Sequence, residues 1–172
     1  MQLEKSLKII DNFLVEEDFN MINNIITNDT FPWHIQKGVS YNGDGGFFLC
    51  HKLYDYEQKQ PITSPFFKTI MDLILKRLRI KSLIRAKLNL YPMTKKIEKH
   101  AFHIDQTKHG VPLEHNVALL YLNTNNGKTL FKNKSINSIE NRMVLFNGMI
   151  EHASTTCTNK QYRTNININY VL

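Results

Sequence analysis

The spacing of hydrophobic residues changes character near Leu83. Before it, two stretches carry apolar residues at helical intervals. In the segment after Val15, Phe19, Ile22 and Ile26 fall on one face, and Glu16, Glu17 and Asp18 occupy the first turn, where negative charge suits the helix dipole. Pro32-Trp33 closes that segment, with Trp33, the only tryptophan, expected as a packing anchor. The second stretch runs from Phe66 to Leu78, with Phe67, Ile70, Leu73, Ile74 and Leu78 as its stripe. Ser64-Pro65 predicts its N-cap and first position. Leu3 to Leu14 alternates in places and reads as a strand near a sheet edge, and Phe47 to Tyr54 reads as another strand. Between them, Ser40 to Gly46 is the one glycine-rich stretch; a hairpin turn is favoured over a lid, and no phosphate-loop lysine follows.

From Leu83 onward, short alternating runs follow one another: LIRAKLNLYP, KHAFHIDQ, NVALLYLN, NNGKTLF, RMVLFNG, IEHAS and YRTNININYVL. Such runs, broken by turn residues, predict an antiparallel sandwich or barrel, with the two helices covering one sheet. Asn123 to Gly127 predicts a hairpin turn. The last run alternates sharply. Ile166, Ile168 and Tyr170 share one face; Arg163, Asn165, Asn167 and Asn169 share the other. Packing on helices explains the first face. The second, with an arginine and three amides, requires a wet polar cavity.

The length of 172 residues fits one domain over residues 1–172, with helical support to about 82 and a β core from about 83. No apolar run approaches the ~20 residues of a membrane span, and the N-terminus lacks a signal-peptide pattern, so a cytoplasmic protein is expected. Cys50 and Cys157 are then expected to stay reduced. The formal charge of +7 raises the question of a nucleic-acid partner. The basic residues are scattered, however, and are not interleaved with aromatics, so compositional bias is the preferred explanation.

The candidate chemistry lies on three segments. His103-x-Asp105 puts two metal-capable side chains on one face if the segment is a strand. His152 stands alone in a later strand, and Arg163 follows in the last. Two His and one carboxylate form the facial triad of non-haem Fe(II) oxygenases, leaving three positions open. A 2-oxo acid can take two of them and dioxygen the third, and a far carboxylate would need a cation such as arginine. A catalytic zinc would want a general-base Glu near a His. Glu151 adjoins His152 but points to the opposite face in a strand.

As a set, these residues resemble the 2-oxoglutarate- and Fe(II)-dependent oxygenases. They are similar, more narrowly, to the small prolyl-4-hydroxylase-like type of phages and bacteria. The carrying features are Lys87-Leu88-Asn89-Leu90-Tyr91-Pro92, His103-x-Asp105, Leu120-Tyr121-Leu122-Asn123 with Gly127-x-Thr129-x-Phe131, and the terminal Arg-x-Asn-x-Asn strand. The resemblance implies a double-stranded β-helix, or jelly roll, with two helices on its major sheet. It implies that His103, Asp105 and His152 ligate Fe(II) and that Arg163 meets the C5 carboxylate of 2-oxoglutarate. It places Asn165 near that carboxylate and offers Asn89 and Tyr91 as polar contacts to the co-substrate. The implied reaction uses O2, releases succinate and CO2, and hydroxylates a C–H bond of a small molecule, protein or peptide, with ascorbate as a candidate accessory reductant. Two departures matter: relatives of the prolyl type commonly carry Lys where Arg163 stands and Tyr where Ala101 stands. The second arginine usual in nucleic-acid demethylases is missing after Arg163. A nucleobase-modifying or nucleic-acid-binding protein and a metal-binding jelly roll without activity are the competing readings.

Overall fold

A computed structural model describes residues 7–40 and 43–172. Its spine is a seven-stranded antiparallel sheet built around the C-terminal strand. The sheet strands are β1 (Lys8–Ile10), β2 (His34–Lys37), β3 (Phe47–Asp55), β4 (Ser82–Pro92), β7 (Asn116–Tyr121), β10 (Met143–Asn147) and β12 (Tyr162–Val171). They lie in the order β1-β10-β7-β12-β4-β3-β2, so β12 is central. A second sheet, β11-β8-β9, faces it, formed by β8 (Lys128–Phe131), β9 (Lys134–Asn137) and β11 (His152–Ser154). A small hairpin, β5 (Thr107–Lys108) with β6 (Val111–Pro112), stands apart. Helices α1 (Glu16–Ile26) and α2 (Phe67–Leu75) complete the chain. The expected jelly roll with two helices on its larger sheet is what the structure has.

Register puts the central apolar residues of β12 against apolar neighbours on β4. Ile166 stands opposite Leu88 and Ile168 opposite Ala86 on β4. With Tyr170, these residues pack against Phe19, Ile22 and Ile26 of α1 and Ile70, Met71 and Ile74 of α2, forming the main core. A smaller core between the sheets joins Val117, Leu119 and Tyr121 of β7 with Phe131, Ile136, Val144 and Phe146. The opposite face of β4 and β12 pairs Tyr91 with Arg163, Asn89 with Asn165, Lys87 with Asn167, and Arg85 with Asn169. This polar ladder turns into the space between the sheets.

Several local expectations change. The Asn123–Gly127 turn is not a hairpin within one sheet: β7 belongs to the large sheet and β8 to the small one, so these residues carry the chain across. The true hairpin of that region, β8 to β9 through Lys132 and Asn133, lacks glycine and proline punctuation. Strands β2, β5, β6 and β9 are too short or too polar to show a period. Ser64 does not cap α2 directly, since the cap position is Phe66, without a side-chain cap bond. The Ser64 hydroxyl accepts the Phe66 N–H at 3.1 Å and meets His51 Nε2 at 2.7 Å. Trp33 packs as expected, donating its indole N–H to Ile26 O at 3.2 Å.

The edge strand read at Leu3–Leu14 survives as β1, paired with β10 at the sheet edge; residues 3–6 of that stretch lie outside the described residues. The glycine-rich stretch joins the antiparallel pair β2 and β3, as a hairpin should; Tyr41 and Asn42 within it lie outside the described residues. Both cysteines are buried and free. Among the described residues no helix is long and apolar enough to cross a membrane.

Candidate metal and diacid site

His103 and His152 are held together by the backbone. Their N–H and C=O groups exchange two hydrogen bonds, of 3.0 and 3.1 Å, although His103 belongs to no continuous strand. The expected strand through Lys99–Gln106 is thus an irregular segment tied to β11 at isolated bridges, Lys99 to Thr155 and His103 to His152. Asp105 nevertheless reaches the two rings. Its carboxylate oxygens lie 3.8 Å from His103 Nε2 and 3.8 Å from His152 Nε2. One ligand atom from each of the three residues falls within 4.8 Å of the others.

Hydrogen bonding fixes the tautomers. His103 Nδ1 is 3.1 Å from Ala101 O and His152 Nδ1 is 3.2 Å from Ile150 O. A carbonyl only accepts, so each Nδ1 carries the proton and each Nε2 keeps a lone pair directed at the shared space. Burial pushes the His152 imidazole below its ordinary pKa, against the pull of the Asp105 carboxylate. Phe146 packs edge-on to that ring at 5.0 Å.

Asp105 is set first by two amides of the polar face of β12, to which the sequence alone assigns no role. The side-chain amides of Asn167 and Asn169 each donate to its Oδ2 at 3.0 Å. Arg85 Nη2 donates to Oδ1 at 3.2 Å, and Gln106 Nε2 donates to Asn169 Oδ1 at 2.7 Å. Burial opposes ionisation of Asp105, but His152, the Arg85 guanidinium, His103 and the Asn167 amide override it. They hold its carboxyl well below the usual carboxylate range. The amide face of β12 is therefore a cradle for one carboxylate. Alternation had shown that this face was polar, but not what it held.

Arg163 sits at the other end of the same cavity and is fully buried. Its Nε donates to Ser138 Oγ at 2.7 Å and its Nη2 to Thr129 Oγ1 at 3.1 Å. The Tyr121 hydroxyl donates to the same Thr129 oxygen at 2.7 Å. Its guanidinium lies 5.5 Å from the ring centres of both Tyr91 and Tyr121. Nη1 is buried and has no acceptor among the described residues. An unpaired cationic donor in a closed interior is costly, so this atom calls for an anionic partner. A Cβ added at Gly127 would stand 2.6 Å from Arg163 Cδ, so the missing side chain there makes room for the arginine.

Between the triad and Arg163 runs a narrow cavity of about 30 Å3 whose walls include Asn89, Tyr91, Asn165 and Asn167. A five-carbon diacid would fill it only with side-chain adjustment. Asn89 donates to Asn165 Oδ1 at 3.0 Å, and its own Oδ1 is buried without a partner among the described residues. Tyr91 stacks on Phe48 and tilts against His100, with ring centres 5.2 and 5.5 Å apart. Its hydroxyl hydrogen-bonds the Ser154 side chain, whose Oγ lies 2.7 Å from His100 Nδ1. All seven expected site residues, His103, Asp105, His152, Arg163, Asn89, Tyr91 and Asn165, thus border one interior. Sequence reading missed the partners Arg85, Tyr121, Thr129 and Ser138. Thr129 and Tyr121 had been singled out only as motif residues. Glu151 is exposed, whereas His152 is buried.

Such a fold is the double-stranded β-helix, shared with solved structures of 2-oxoglutarate- and Fe(II)-dependent oxygenases. Solved structures of that kind match over almost the whole chain. A 2OG-Fe(II) oxygenase family oxidoreductase from Burkholderia pseudomallei matches with a TM-score of 0.70 at 11% identity, over 98% of this chain and 86% of that one. A viral collagen prolyl hydroxylase from Paramecium bursaria Chlorella virus-1, solved with 2OG, matches with 0.61 at 13% identity, over 97% and 96%. A Trichoplax adhaerens prolyl hydroxylase, solved with a hypoxia inducible factor peptide fragment, gives 0.63 at 16% identity, over 99% and 86%. At these identities the likeness is one of fold. No family model and no curated sequence matches the chain.

Proposed function

We propose that this protein is an Fe(II)- and 2-oxoglutarate-dependent dioxygenase that hydroxylates a C–H bond and releases succinate and CO2. The observation that carries the reading is the pairing of two features in one cavity. Three ligand atoms converge within 4.8 Å, and a buried guanidinium at the far end keeps one donor unpaired among the described residues. His103, Asp105 and His152 are the proposed ligands, a set that suits Fe(II) and leaves coordination positions open. The bound iron would supply dioxygen activation coupled to decarboxylation of the co-substrate.

The chain's own residues do the rest. The bonds from Nδ1 of both histidines aim their lone pairs, and Asn167, Asn169 and Arg85 keep Asp105 ionised and oriented. Arg163, braced by Ser138 and Thr129, receives the C5 carboxylate as a charge-assisted pair. Asn89, Tyr91 and Asn165 line the path between and offer polar contacts. Tyr91, Tyr121 and Phe146 keep that path dry. O2 completes the reaction, and ascorbate would restore iron that has been oxidised. The Trichoplax peptide complex makes a peptide one candidate substrate class.

Anaerobic titration of the protein with Fe(II) and then 2-oxoglutarate tests the reading. A visible charge-transfer band should appear only when both are present. Arg163→Met should raise the 2-oxoglutarate concentration needed for that band by about 100-fold, in line with ~3 kcal/mol for a lost buried charge-assisted contact. A protein that binds metal but never develops the band would be a metal-binding jelly roll without this activity.

A further inference from the structure

The polar ladder continues past the triad into a cationic corner, where Arg85 serves the reaction above through its bond to Asp105 and Lys87 has no part in it. Lys87 stands between Arg85 and Asn89 on β4, beside Asn167, whose amide holds Asp105. Directly across the next strand pair, Lys87 faces Lys52. Like charges opposite one another on antiparallel strands are destabilising. Arg85, Lys87, Lys52 and Lys37 together border a cavity of about 330 Å3, walled on its apolar side by Phe48 and Val39.

The acidic and titratable groups around it are few. Asp55 is bound to Lys52 at 2.8 Å, and Asp105 takes Arg85 while belonging to the triad. The Asp44 carboxylate accepts the backbone N–H groups of Val39, Ser40 and Gly46. The Cys50 thiol is pushed up by burial and stays neutral. The Lys87 ammonium lies 4.9 Å from the centre of the Phe48 ring and is in no ion pair among the described residues. Burial and the neighbouring Arg85 bring its pKa down to about 8. Arg85 Nε is likewise buried without an acceptor among the described residues. The site therefore holds more positive charge than its own carboxylates neutralise, in a space of small-molecule size.

We propose that this corner, centred on Lys87 and Arg85, binds a carboxylate or phosphate group of a small anionic substrate and so presents a neighbouring C–H bond to the metal. The inference rests on the oxygenase reading, and it names the substrate class for that site.

The test uses protein loaded with Mn(II), which holds the site without turning over, and saturating 2-oxoglutarate. Calorimetric titration then compares N-acetylaspartate, phosphoethanolamine and the neutral N-acetylasparaginamide. One of the two anions should bind at least tenfold tighter than the amide and weaken as salt rises. Which anion wins identifies the group. Lys87→Met should weaken that binding at least tenfold while Lys87→Arg retains it within about threefold. Lys37→Gln, at an exposed position, supplies a second variant independent of core folding and should weaken it about threefold. Equal affinity for the neutral amide, or an unchanged Lys87→Met, overturns the proposal. So does a short oligonucleotide that outcompetes both small anions. Failure of 2-oxoglutarate to bind in a Mn(II)-dependent way would instead sink the oxygenase reading.

Discussion

Strands β4 and β12 carry two faces of opposite construction. On the outer face, Leu88, Ala86, Ile166 and Ile168 meet the helices through many weak, non-directional contacts. On the inner face, Arg163, Asn165, Asn167 and Asn169 meet Ser138, Thr129, Asn89 and Asp105 through a few bonds of fixed geometry. The outer face determines whether the chain folds; the inner face determines what the folded chain can hold. Substitutions on the two sides should therefore separate stability from ligand binding.

The largest separation is expected at the triad. His103→Ala should abolish the Fe(II)–2-oxoglutarate absorption and substrate-dependent succinate, a loss of more than about 1,000-fold, while the melting temperature of metal-free protein moves little. Retained succinate formation would remove His103 from the ligand set. On the other face, Ile74→Ala should cost about 2–5 kcal/mol in denaturant unfolding, because the residue is fully buried beneath the sheet. The surviving folded fraction should bind 2-oxoglutarate as before. A selective loss of ligand affinity would show that the faces are not independent.

Smaller effects sharpen the inner face itself. Asn169→Ala removes one of the amides on Asp105 and should weaken metal binding about 10- to 100-fold, the usual range for a group that orients a ligand. Gly127→Ala crowds Arg163 Cδ and should raise the 2-oxoglutarate Kd about tenfold with metal affinity preserved. Equal changes in both affinities would mean a general distortion.

The smallest effect is a pH slope. Burial, and then the nearby Arg163, lower the His100 pKa from 6.5 to about 4 in the folded protein. Between those values the unfolded chain binds more protons, so this contribution is complete above pH 6.5. It is lost as pH falls through the window towards 4. His100→Gln should flatten that part of the stability curve in acid denaturation.

Much of this was legible because a two-residue period survives any tertiary context that buries one face. The alternation of β12 predicted both its packed side and its polar side. His103, Asp105, His152 and Arg163 were readable as a set because their chemistry is rare in combination. The partners were not readable. Ser138 reaches Arg163 and Arg85 reaches Asp105 only because separate segments fold past one another, and a serine or an arginine carries no mark of its partner. Strands β2 and β9 escaped because a single isoleucine among three polar residues shows no period. The crossing at Asn123–Gly127 looked like a hairpin because turn residues report a change of direction, not which sheet receives the chain.

The reciprocal backbone bonds between His103 and His152 have one more consequence. Two of the three ligands are clamped at a fixed separation by peptide groups, so the ion does not have to assemble its own binding geometry. Its capture then becomes an exchange of water for lone pairs within a finished framework. Chelators should strip the ion reversibly from a protein that stays folded, and divalent ions of similar size should compete for the vacancy on ligand preference alone.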